Sequence, residues 1–193
     1  MNVYEFENNV ISKLVKEGEI EKAINLAEEE FLKIPKNDFH KILGRNLLDL
    51  TNDTDEFLSA VYQKSVDEIN DVKSIYCEMN GFTINPDMWF VTGMSFTFCN
   101  DLSDTDWLAD YDYFFEMALV IKGYEDLQKT YEDFVKNEKW DLEESADYCA
   151  IIITLRLLEL FRETHEAFKN KSEWTKIPLF VTSHDSELIY KTK

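Results

Sequence analysis

Between Asn100 and Phe114 the chain reads NDLSDTDWLADYDYF. Asp101, Asp104, Asp106, Asp110 and Asp112 share this stretch with Trp107, Tyr111, Tyr113 and Phe114, and no lysine or arginine lies among them. Four chemistries use such a composition: cation coordination, carboxylate catalysis, mimicry of a polyanion, and docking of a basic protein. Calcium can be tested by register. An EF-hand loop needs oxygen ligands at positions 1, 3 and 5, glycine at 6 and glutamate at 12. Counted from Asp101, position 6 is Asp106 and position 12 is Asp112; counted from Asp104, position 5 is Leu108 and position 12 is Phe115. Both registers fail, which leaves only an irregular carboxylate site for Mg²⁺ or Ca²⁺.

Other catalytic patterns are missing from the sequence. His40, His165 and His184 lie far apart, outside HxxxH, HExxH or any pairing with CxxC, so no zinc or iron site is expected. Glu143, Glu144 and Asp147 share a helical stretch but have no ExxH partner for a di-iron bundle. There is no GxSxG elbow. Cys77, Cys99 and Cys149 each sit among apolar or aromatic neighbours (IYCEM, FTFCN, DYCAI), where a buried, inert thiol is the usual outcome. The five glycines never come close enough together to make a phosphate loop. A carboxylate pair for glycoside hydrolysis stays open, but 39 acids give no reason to choose any two. No cofactor is expected.

Docking of a basic partner remains. The expected contact set is Asp101, Asp104, Asp106, Trp107, Asp110, Tyr111, Asp112 and Tyr113. Interface hot spots are enriched in tryptophan and tyrosine, while charge sets association rate and partner choice. The competing arrangement folds Trp107 and Tyr111 back into the core and leaves the aspartates facing water.

The whole chain supports an acidic surface. Its 193 residues carry a net charge of −19, and residues 101–150 alone hold 15 acids against 4 bases. Such charge repels phosphate backbones and anionic lipid, so neither nucleic acid nor a membrane surface is an expected partner. At 45% hydrophobic and 14% aromatic, the chain is too apolar for disorder and long enough to bury a core. Three dispersed cysteines, an odd number, suit free thiols in a reducing cytoplasm. The start MNVYEFENNV has neither a basic nor an apolar signal region, and the longest apolar run, 149–155, is far too short for a membrane span.

The elements that must position the aspartates follow from periodicity. Residues 2–17 predict an amphipathic helix opened by an Asn2/Glu5 capping box and stopped at Gly18, and 19–33 predict a second helix ended by Pro35. The hairpin superficially looks like a tetratricopeptide unit, but no second copy follows. A weaker helix is expected over 38–49, interrupted by Gly44. A long one is expected over 54–79, where Leu58, Tyr62, Val66, Ile69, Val72, Tyr76 and Met79 form a stripe. The pattern then changes period. MWFVTGMSFTFC (88–99) predicts a strand with Gly93 at a bulge or close approach, and FFEMALVIKG (114–123) predicts another. Helices are expected at 124–137 and 142–170, the latter opened by an Asp141/Glu144 box and buried along ADYCAIIITL. LFVTSHDSELIY predicts two short strands around Ser183–Ser186. The expected fold is α+β: a mostly helical single domain over 1–193, with the hairpin 2–34 packed on the rest and a small sheet from the middle and C-terminal segments.

In size, charge and compartment the chain resembles the acidic immunity proteins that neutralise bacterial nuclease toxins; no motif underlies the likeness. It implies a non-enzymatic binding protein that occludes a basic partner. The alternatives are a carboxylate-dependent hydrolase, or a regulatory or scaffold subunit that binds a partner helix.

Overall fold

A computed structural model describes residues 1–192. It has five helices and a five-stranded mixed sheet in one α+β arrangement. Helix α1 covers residues 3–17 and contains a π-helical turn at Glu7–Ile11. The Asn2/Glu5 box forms, and Gly18 ends the helix at φ +80°, a left-handed conformation that suits glycine. Helix α2 spans Ile20–Phe31, α3 Thr51–Ile69, α4 Glu125–Lys136 and α5 Glu143–Phe168. The strands are β1 Ser74–Asn80, β2 Phe90–Phe96, β3 Tyr113–Val120, β4 Leu179–Ser183 and β5 Tyr190–Lys191. Their spatial order is β3-β2-β1-β4-β5; β1 and β4 run parallel and the other neighbouring pairs antiparallel.

Three expectations are corrected. The long helix expected over 54–79 begins at Thr51 and ends at Ile69, and its last ten expected residues include all of β1 but Asn80, at the centre of the sheet. Val72, Tyr76 and Met79 continue the helical stripe in sequence, but Ile75, Cys77 and Met79 alternate into the core, while Asn70 at φ +63° breaks the helix. Residues 38–49 form two short 3₁₀ turns, Asp38–Ile42 and Leu48–Leu50, on either side of Gly44 at φ +71°. The Asp141/Glu144 box does not form. Asp141 lies in a 3₁₀ turn, Trp140–Leu142, and α5 starts from Leu142 without a side-chain cap.

The sheet has two unlike faces. Ile75, Cys77, Met79, Val91, Leu179 and Val181 pack with the helices in the main core. There α5 is the buried pillar, with Ile152 and Ile153 fully inside. At about 25 cal/mol per Å² of apolar surface, this layer is the main source of stability. Gly93 lets β2 approach α3: a Cβ there would lie 2.8 Å from a Val61 methyl. The outer face holds a second, smaller cluster of Tyr76, Met94, Phe96, Trp107, Leu108 and Phe180. Trp107 and Leu108 are its buried members from outside the strands, with Phe98, Leu102 and Ile189 packed against it, so the aspartate-rich segment forms much of the lid on that face.

Candidate functional site

The aspartate-rich segment joins β2 to β3. Asp101 accepts hydrogen bonds from the N–H of Ser103 at 2.8 Å and from its hydroxyl, and Asp104 accepts from the N–H of Asp106 at 3.0 Å. These are Asx turns, in which a short carboxylate replaces a backbone acceptor. The bonds from Ser103 hold the Asp101 carboxyl below its ordinary range. Asp112 closes the neck of the segment. Its carboxylate accepts from the N–H of Thr97 at 2.6 Å and from the Thr97 hydroxyl at 2.9 Å, and its own N–H donates to Ser95 O at 3.0 Å. Asp106 and Asp110 are exposed and engaged in no ion pair among the described residues.

The aromatic residues divide. A 3₁₀ turn at Asp106–Ala109 turns Trp107 and Leu108 down onto the sheet. The indole lies edge-on to Phe96 and Phe180, with ring centroids 5.0 and 5.2 Å away, and its Nε1–H donates to Asp101 O at 3.1 Å. It is 7% exposed. Trp107 therefore pins the segment to the fold and does not present its ring to solvent. Tyr113 is half-buried against the main core. Tyr111 is outside at 46% exposure, its ring 6.0 Å from that of Phe114, itself 41% exposed. Of the expected contact set, the structure places the five aspartates and Tyr111 on the surface, Tyr113 at its margin and Trp107 within.

Sequence reasoning missed part of this surface. Phe114, Met117 and Val120 are also exposed, all on β3, which among the described residues pairs with β2 alone. FFEMALV shows that a strand is present but not that the strand is an edge, because sheet order depends on contacts far apart in sequence.

A groove of about 460 Å³ runs beside the segment, between it and the turn joining β4 to β5; Tyr76, Glu78, Asp106, Tyr111 and Asp185 are among its walls. On its floor Glu78 accepts from the Tyr76 hydroxyl at 2.7 Å and pairs with His184 Nδ1 at 2.8 Å. The bond to Glu78 raises the His184 pKa. Neither serine of the turn serves this imidazole: the Ser186 hydroxyl donates to Glu7, and Ser183 pairs with Thr154. The Glu78–His184 pair thus clamps the β4 turn to β1. Sequence reasoning saw His184 but placed Glu78 on a helix, which hid the pair.

The five aspartates do not converge on one point. No group of three or more histidine, cysteine, aspartate and glutamate side chains among the described residues could hold a metal ion. Cys77 and Cys149 are buried, as expected, and burial pushes the Cys149 thiol up to about 12. Cys99 is exposed, against expectation, because the chain leaves the sheet after Phe96. Among the described residues, no helix is long and apolar enough to cross a membrane. Comparison with known proteins gives no match to a family model, a curated protein or a solved structure.

Proposed function

We propose that this chain is a non-enzymatic acidic binding protein that occludes a basic protein partner. A nucleic-acid-cleaving toxin is the partner class that its charge suits best. One observation supports this most strongly: residues 100–121 contain six acids and no base, and their exposed carboxylates border exposed Tyr111 and Phe114. Uncompensated surface charge of one sign raises the encounter rate with the opposite sign, and apolar contact then slows dissociation. Asp101, Asp104 and Asp112 are already held by local hydrogen bonds, so little ordering cost attends their use. Three unpaired thiols suit a reducing compartment, where such a partner would be met before it acts.

Affinity capture from native lysate tests the partner class. The immobilised chain should retain strongly basic proteins at low salt and release them as salt shortens the screening length. Retention of predominantly neutral or acidic proteins, indifferent to salt, would overturn the proposal.

A further inference from the structure

We infer that the exposed edge of β3 is the seat for an apolar side chain of the basic partner, with Met117 and Phe114 as the anchors. The inference rests on the proposed capture of a basic protein and specifies where that protein makes apolar contact. Single exposed hydrophobic residues need no explanation. Phe114, Met117 and Val120 are different, because all three lie on one edge strand, and Tyr111, just before it, sets its ring 6.0 Å from that of Phe114. Among the described residues, strand β3 has no partner on its outer side. Its register to β2 also slips: Val91 faces Leu119 and Gly93 faces Phe115, so two steps on β2 correspond to four on β3. The surplus forms a bulge at 116–118, where Met117 reaches 62% exposure. A bulged edge resists plain strand addition, so side chains and not a backbone ladder would make the contact. Methionine suits that role because its unbranched thioether adapts to many shapes.

The border of this strip selects the occupant. Asp110, Asp112 and Glu116 flank it, and the first base along the chain, Lys122, is 3.3 Å from Asp53 and so already paired. An apolar strip within an acidic border complements a segment in which an apolar side chain sits between lysines or arginines. A second copy of this chain would bring a like charge of −19 to the same border and is disfavoured. Trp107, the anchor expected from sequence, is occupied in the outer-face cluster.

Methyl-labelled methionine NMR tests the inference on the whole chain, using two synthetic peptides of equal positive charge. One alternates lysine with leucine; in the other, serine replaces each leucine. The Met117 methyl resonance should shift saturably with the leucine peptide and stay still with the serine peptide. Met117→Gln should weaken leucine-peptide binding about tenfold, the scale of an interface anchor, with an unchanged melting temperature. Equal binding of both peptides with the Met117 methyl unmoved would overturn the seat and leave basic-partner capture standing. Failure of both peptides to bind at low salt would overturn both.

Discussion

Trp107 and its neighbouring aspartates have different jobs, and substitution separates them. Trp107 is buried among Phe96, Phe98 and Phe180. Removing so large a buried ring costs about 3–5 kcal/mol, so Trp107→Ala should lower the denaturation midpoint sharply. Asp106→Asn and Asp110→Asn should leave that midpoint within about 0.5 kcal/mol of the parent, because exposed, unpaired charges contribute little to folding. Chemical denaturation of the three variants decides it, and a Trp107→Ala variant as stable as the parent would contradict the buried placement. The segment itself was legible in sequence, since a run of aspartates without a base is visible to inspection. Which of its side chains face inward was not: Trp107 and Tyr111 are alike in type, and the 3₁₀ turn alone puts one below the surface and the other above it.

At the scale of elements, close packing of β2 on α3 makes a second prediction. Gly93→Ala would place a methyl 2.8 Å from Val61, and overpacking of this kind costs about 1–3 kcal/mol. Thermal or denaturant unfolding measures the loss; an unchanged stability would mean that the strand does not lie as described. Helix α1 meets the start of α5 through acidic groups. Asp147 is raised to about 6, first by burial and then by Glu143 and Glu144; Glu7, on the π-helical turn, is raised by burial despite its bond from Ser186, with Asp147 and Glu187 adding repulsion. A carboxyl raised in the folded state stabilises below its unfolded pKa of about 4, and that stability is lost as pH rises through the folded value. His184, also raised, loses its contribution at higher pH in the same direction. Melting temperature should therefore fall from about pH 5 to about pH 7 in the parent, and less so in Asp147→Asn. An equal fall in both would remove Asp147 as a cause.

The same scale shows where sequence reasoning reaches its limit. Helices α2, α4 and α5 and strands β2 to β5 were visible as periodicity, caps and turn residues. Strand β1 was not, because Tyr76 and Met79 satisfy helical spacing while Ile75, Cys77 and Met79 satisfy alternation. Only the pairing of β1 with both β2 and β4 decides between them. Sheet order, and with it the exposed edge at β3, is likewise settled by contacts remote in sequence.

For the molecule as a whole, charge is the dominant property. At −19 the folded chain repels itself, and added salt should raise its melting temperature by screening that repulsion. Calorimetry over a salt series checks this, and a falling melting temperature would mean that ion pairs such as Arg156 with Glu28 and Glu159 outweigh the repulsion. Acids are spread over the chain, but residues 100–121 differ from the rest in holding six of them with no base among them.

Stopped-flow association with the basic protein retained at low salt tests the role of this segment most directly. The parent is compared with a variant carrying Asp104→Asn, Asp106→Asn, Asp110→Asn and Asp112→Asn. The parent's rate constant should fall steeply between about 0.05 and 0.5 M salt, and the variant should start slower and show a flatter dependence. Equal low-salt association rates for the two proteins would contradict the claim that this segment steers the partner.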